Sequence, residues 1–164
     1  MKLIKLTQGK FAQVDDEDFK TLNKVKWRAL KSGKNTYAYR MRYDTKRLYG
    51  VLMHRFLMGL TGVDKDKKVD HIDHNPLNNQ KCNLRICTSS QNNRNRTASK
   101  NKTSKYLGVS FRKNDGRWQS EITSNYKYKR IGCYKTEQEA ALAYNRAAIE
   151  IHGEFANLNI IENI

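Results

Sequence analysis

Between residues 106 and 153 the apolar period changes once, from two to 3.6, and few folds satisfy that switch. Three runs, YLGVSFRK, GRWQSEIT and YKRIGCY, alternate apolar and polar residues. NDG separates the first two and a polar turn around Asn125 separates the next, so both connections suit hairpins. KTEQEAALAYNRAAIEIHG then reads as a helix. Thr136 and Glu139 have the spacing of a capping box, and Ala140, Tyr144, Ala147, Ala148 and Ile151 form one apolar stripe. Gly153 stands where a helix stop is expected. A three-stranded antiparallel sheet packed on one helix follows. Parity then assigns the faces, because successive strand residues point opposite ways. Val109, Phe111, Trp118, Ile122 and Ile131 share the inward phase. Ser110, Arg112, Arg117, Gln119, Glu121, Thr123, Tyr128 and Arg130 share the outward phase. On the residues alone, that outward face is either a polar surface or a reader of the DNA major groove, where Arg pairs with guanine and Gln or Asn with adenine.

Upstream the texture stays β-rich. Residues 2–14 alternate around Gln8-Gly9, as a hairpin does. In DDEDFKTLNK, Asp15 or Asp16 is placed to cap a short helix with an acidic first turn. VKWRAL and YAYRMRY read as strands. The second has Tyr37, Tyr39, Met41 and Tyr43 on one face and Ala38, Arg40 and Arg42 on the other. LYGVLMHRFLMGL is the most apolar stretch, a buried strand or helix.

Charge narrows the partner. Thirty-two Lys and Arg against sixteen Asp and Glu give +16, which favours a polyanion, most simply nucleic acid. The excess is uneven: residues 1–69 hold 17 basic and 7 acidic side chains, whereas residues 106–164 hold 8 and 7. Lys24, Lys26, Arg28, Arg40 and Arg42 are candidates for backbone contact upstream. Residues 91–105 carry five basic residues and no acidic one; Arg94, Arg96, Lys100 and Lys102 belong to a linker or to an arm that orders on DNA. The three cysteines are odd in number, and MKLIKLTQGKF has no long apolar core, so a reducing cytoplasm is expected rather than a disulfide framework. No apolar run approaches the ~20 residues of a membrane span.

Between these parts lies KVDHIDHNPLNNQKCNLRICTSSQNN, residues 68–93. Phosphodiester hydrolysis needs a cation at the phosphate and a base for water. Asp70 and Asn92 offer the oxygen donors that hard cations prefer, and His71 offers the base. KKVDHI and LRIC read as strands flanking a loop, and TSSQNNRN starts a helix in which Thr88 and Gln91 have capping-box spacing. Two other readings stay open here: a polar surface loop, and a zinc site of Cys82, Cys87, His71 and His74, whose spacing is weak.

Two resemblances resolve these alternatives into expectations. Residues 50–95, with MHR, then D-H-I-D-x-N-x-L-N-N, N-L-R-I-C-T and Q-N-N, resemble the HNH endonucleases of phage and intron homing enzymes. The resemblance implies a ββα-metal fold in which Asp70 and Asn92 hold a divalent cation, Mg²⁺ with Mn²⁺ as an alternative. It implies His71 as general base and Asn83 as the middle asparagine of the motif, which fixes the loop. His74 stands where glycine is usual, at a turn that needs positive φ. His54 is expected to be buried beside the site, not a base. Residues 105–159 resemble the plant ethylene-response-factor (AP-two) DNA-binding domain through their G-V start, W-x-x-E-I, I-G-x-Y, T-x-x-E-A-A-x-A-Y and closing G-x-x-A-x-L-N. That family docks its sheet in the major groove, which implies Ser110, Arg112, Arg117, Glu121, Thr123, Tyr128 and Arg130 as DNA contacts.

The expectation is therefore an α+β chain in four parts. These are a basic β-rich region (1–50), an HNH motif (51–96), a basic linker (97–105) and a sheet-and-helix domain (106–159). Its expected function is a metal-dependent, site-directed nicking endonuclease acting on double-stranded DNA as a monomer in the cytoplasm of a phage-infected bacterial cell. The alternative is a non-catalytic DNA-binding regulator with a degenerate nuclease motif.

Overall fold

The computed structural model describes residues 1–44, 47–60, 66–95, 103–124 and 127–161. Arg96, Lys100, Lys102 and the Asn125 turn lie outside them. The architecture is α+β, with antiparallel strands and a few helices. The chain divides into two compact units, Met1–Ser89 and Ser90–Ile164.

The first unit begins with the hairpin of β1 (Lys2–Lys5) and β2 (Phe11–Val14). Gln8 and Gly9 both take positive φ, 62° and 66°, the geometry of a tight turn that matches strand twist. Helix α1 (Asp16–Leu22) follows, with Asp15 at its N-cap position. Asp15 does not cap it through its side chain, however. Its carboxylate accepts the Lys81 backbone N–H at 2.7 Å and the Gln80 amide at 3.1 Å, and so joins two segments 66 residues apart. That backbone hydrogen bond is the chief reason the Asp15 carboxyl is held below its usual range.

Strands β3 (Arg28–Ser32), β4 (Asn35–Asp44) and β5 (Arg47–Leu52) form an antiparallel sheet with β4 central. Ile4, Leu6, Ala12, Val14, Leu22, Trp27, Ala38 and Met53 form the core, with Ala29 and Phe56 packed on it. Ala38 and Ala29 point inward, so the face of β4 carrying Arg40 is the core face. The Arg40 guanidinium lies 5.2 Å over the Trp27 ring and 5.1 Å over Phe56. Arg40 is thus absorbed into packing rather than offered to a phosphate: its stem and plane cover aromatic surface. The tyrosine face turns the other way. The apolar stretch after β5 is a short helix, α2 (Met53–Leu57), which packs against β4 and β6 (Lys67–His71). Arg55 fixes the approach to β6 by donating to the carbonyls of Leu60 (3.0 Å) and Lys67 (3.1 Å). Strand β7 (Leu84–Thr88) pairs antiparallel with β6 at the end of this unit, and α3 (Ser89–Arg94) leads in sequence into the next.

The second unit carries β8 (Val109–Arg112), β9 (Arg117–Ser124) and β10 (Lys127–Tyr134), in the order β10-β9-β8, and helix α4 (Glu137–His152). The Thr136–Glu139 capping box forms in both directions, and Gly153 ends the helix at φ 54°. Tyr106, Val109, Ala140 and Ala141 form one apolar cluster, and Ile122, Tyr144 and Ala148 another. Gly108 (φ 73°) lies against Tyr144 so closely that a Cβ would overlap its ring and the Glu121 carbonyl oxygen. Asn159 closes the unit. Its amide exchanges hydrogen bonds with the Leu107 backbone, and its own backbone with the Asn145 amide, all between 2.6 and 3.0 Å.

One parity expectation needs correction. Phe111 shares a face with Trp118 but is exposed; the two rings pack on each other 5.0 Å apart at the end of the sheet. Ile131 does pack on the Ile122–Tyr144–Ala148 cluster, as its phase requires, but it sits in a β-bulge, since Arg130 pairs with Glu121 whereas Gly132 pairs with Ser120. One extra residue in β10 reverses phase. Tyr128 and Arg130 remain on the outward face, but beyond the bulge Cys133 joins them and Tyr134 turns in.

Candidate functional site

The site grows from the end of β6. Asp70 and His71 are its last two residues, and cross-strand register places Asp70 opposite Arg85 and His71 opposite Leu84. Asp70 is buried, and Arg85 grips its Oδ2 from both Nε (2.9 Å) and Nη2 (2.8 Å). A buried carboxylate needs such a partner, and the fork also fixes its orientation. Sequence reasoning missed Arg85. The signal was available: once the two strands are aligned as a tight pair, Arg85 falls across from Asp70.

The loop between the strands is held by its own side chains. His74 donates its N–H to the His71 carbonyl (3.1 Å) in a turn with φ 62°, the left-handed conformation that the sequence expectation required of it. Replacing His74 by glycine should raise the stability of this unit by about 0.5–1 kcal/mol in urea denaturation, since glycine takes that φ without steric cost. Asn83 is the cross-brace. Its Nδ2 donates to Asp73 Oδ1 (2.9 Å) and to the Asn78 carbonyl (2.9 Å), while its Oδ1 accepts the Asp73 N–H (3.0 Å). Asp73, not singled out from the sequence, is the other hub, accepting from Asn75 N–H and the Asn78 amide at 2.8 and 2.7 Å. Burial pushes its carboxyl up, but these hydrogen bonds outweigh it, and the group is held below the usual range. Its spacing before Asn75 is that of an Asx turn, a signal legible in sequence. The loop also docks on β2: Asn79 N–H donates to the Gln13 carbonyl and Gln13 N–H to the Leu77 carbonyl, each at 2.8 Å.

His71 is enclosed. His54 lies edge-on to its ring at 4.9 Å, and Tyr37 packs against both imidazoles, 5.7 Å from His54 and 6.5 Å from His71. Asn79, 1% exposed, presents its amide to the same ring. Burial lowers the His71 pKa below the ordinary imidazole value, against the opposing pull of Asn79, Asp73 and Asp70. The neutral, proton-accepting form is therefore favoured. His54 is more deeply affected: burial, then the neighbouring His71 and Arg55, push it down to about 3. It is a buried histidine, neutral at ordinary pH.

The donors present suit a hard cation that keeps most of its water. Asp70 supplies a carboxylate, and among the described residues no group of three His, Cys, Asp or Glu side chains converges on one point. Mg²⁺ is commonly held by one or two carboxylates plus water and substrate phosphate, whereas zinc needs three or four convergent ligands. The zinc reading fails on this ground: Cys82 is exposed while Cys87 is buried, and the described Cys, His and Asp side chains do not converge. Asn92 lies on α3 and Arg94 ends that helix.

On the second unit the outward sheet face holds Ser110, Arg112, Arg117, Gln119, Glu121, Thr123, Tyr128 and Arg130 together. Its arginines are not equally presented. Arg112 pairs with Asp115 (3.4 Å) and donates to Cys133 Sγ (3.6 Å), and Arg130 donates to the same sulfur (2.7 Å). Arg130 first, then Arg112, hold the Cys133 thiol below its usual pKa. The Gln119 amide donates to the Glu121 carboxylate on the same face.

Residues 54–94 match the family model for HNH endonuclease, and residues 104–154 match that for the AP2 domain. The chain is 36% identical over 159 residues to an uncharacterized HNH endonuclease of Acanthamoeba polyphaga mimivirus, an alignment spanning 94% of this chain and 78% of that protein. A protein of Escherichia phage T7 is 33% identical over 94 residues, 57% of this chain and 77% of its own length. An AP2-like ethylene-responsive transcription factor of Arabidopsis thaliana is 38% identical over 66 residues, which are 40% of this chain but 14% of that protein.

Proposed function

Because the chain belongs to the HNH endonuclease family, we propose that it is a divalent-metal-dependent DNA endonuclease of homing type that nicks one strand as a monomer. The observation that carries this reading is a buried histidine kept in its neutral form at a strand end, next to a buried carboxylate. In the ββα-metal arrangement we assign to residues 51–96, Asp70 and Asn92 hold the cation, with Mg²⁺ the natural ion. When bound, that ion supplies charge neutralisation at the phosphate and at the leaving oxygen. His71 takes the proton from the attacking water, and the ring contacts of Tyr37 and His54 keep its imidazole from turning. Arg85 holds Asp70 in one rotamer. Asn83 keeps the loop from opening and so sets the spacing between β6 and β7. The decisive assay is plasmid nicking with Mg²⁺ and with EDTA. Binding without cleavage under several divalent cations would establish the regulator reading instead.

Residues 97–105 are the linker in this reading, and 106–159 the domain that reads duplex DNA through its outward sheet face. Arg94, Arg96, Lys100 and Lys102 add phosphate contacts. Replacing Arg112 and Arg130 by alanine should weaken DNA binding in gel shifts by about tenfold or more, since a good arginine contact is worth ~1–3 kcal/mol. Unchanged affinity would refute the sheet as reader.

A further inference from the structure

The tyrosine face of β4 is not explained by the core. On it, Tyr37, Tyr39, Met41 and Tyr43 run in line, with Leu30 of β3 and Leu48 of β5 as cross-strand partners. Tyr43 is 75% exposed, Leu48 55% and Met41 42%. Tyr43 and Leu48 pair directly, so the strip on this face closes with two large side chains facing solvent. The strip is built rather than incidental. Gly50 stands beside Tyr39, where a Cβ would overlap the phenol ring, and the Tyr39 hydroxyl donates to the Met41 sulfur. Both features lay the Tyr39 ring along the sheet.

We propose that this strip is a wedge that enters a groove of duplex DNA beside the scissile phosphate and partly unstacks a base step there. The inference rests on the endonuclease reading for where the phosphate lies. Three observations favour DNA over a second copy of the chain. The strip starts at Tyr37, whose ring packs on both His54 and His71, so a substrate held at His71 passes over it. Residues 1–69 carry 17 basic and 7 acidic side chains, so two copies brought face to face here repel. Arg28 is cross-strand from Tyr39 on the same face, in reach of phosphates flanking the strip. Length fits as well: Tyr37 to Tyr43 is about 20 Å at ~3.3 Å per residue, or about six base pairs. Apolar side chains find no hydrogen-bond partner on a base edge, and insertion between base steps is a use of them in a groove that deforms the duplex.

Insertion untwists the duplex, which needs no knowledge of the target site to measure. Closed circular plasmid is relaxed by a metal-independent type IB topoisomerase in EDTA, with full-length protein bound and its nuclease silent. Wild-type protein should lower the linking number. Tyr43→Ser/Leu48→Ser should retain about half of that shift or less at matched occupancy, and Tyr43→Trp should keep it. Both positions are exposed, so circular dichroism and melting temperature should match wild type. Equal shifts from wild type and the double variant would overturn the wedge. So would no shift from wild type at saturating gel retardation, or a wild-type dimer that the double variant splits. Protein that nicks with Mg²⁺ yet leaves twist unchanged loses the wedge and keeps the nuclease; protein that binds no DNA loses both.

Discussion

His71→Ala should slow plasmid nicking by about 10²–10⁴-fold while leaving DNA affinity unchanged, the range expected when a positioned general base is removed. The argument is geometric before it is electrostatic. His71 ends β6, its backbone is fixed by pairing to Leu84 and by the His74 turn, and its ring is walled by Tyr37, His54 and Asn79. Alanine removes the imidazole without touching the Asp70–Arg85 pair or the sheet of the second unit. Binding in EDTA, followed by gel shift, should therefore match wild type. A residual rate within a few-fold of wild type would remove His71 from the chemistry.

The second large effect is on stability. The first unit should lose roughly 4 kcal/mol between pH 6.5 and pH 3 through His54 alone. The sign follows from where the proton goes. Above pH 6.5 the imidazole is neutral in both folded and unfolded chains. Below it the unfolded chain takes up a proton, whereas folded His54 refuses one until about pH 3. Stability thus falls as pH drops through this window, at ~1.4 kcal/mol per unit. His54 is 6% exposed, and among the described residues its Nδ1 has no hydrogen-bond partner, so burial is not offset. His54→Phe keeps an aromatic ring there and removes the titration. Urea melts at pH 7 and pH 4.5, read by Trp27 fluorescence in a Trp118→Phe background, should show a pH dependence smaller by roughly 3 kcal/mol in the variant. Equal dependence would place the His54 pKa near its ordinary value.

Local chemistry made much of the fold legible. Helix α4 forms where the apolar stripe, the Thr136–Glu139 box and Gly153 predict it, because cap, face and stop are all encoded within one segment. The Gln8-Gly9 hairpin and the strained His74 turn are local in the same sense. Illegible features involve a residue count or a partner that no short window contains. The bulge at Ile131 adds one residue against β9, and period-two reading has no means of seeing an unpaired position. Asp15 has the composition of a cap, yet a backbone N–H 66 residues away competes successfully for its carboxylate. The arginine face of β4 looks solvent-bound by polarity, but Trp27 and Phe56 offer Arg40 a stacking surface.

The same division runs through the candidate site. By itself the sequence determined which residue types are at hand: a carboxylate and an imidazole side by side at a strand end, an asparagine placed to brace the loop, and an outward sheet face with three arginines. These follow from period, spacing and charge, which are properties of neighbours along the chain. Only the tertiary structure decided their surroundings. Antiparallel register set Arg85 on Asp70, packing of α2 against β4 and β6 enclosed His71 between His54 and Tyr37, and the bulge brought Cys133 under Arg112 and Arg130. Burial and charge pairing depend on which segments meet in space, and they set the proton affinity of His71 and the presentation of each arginine.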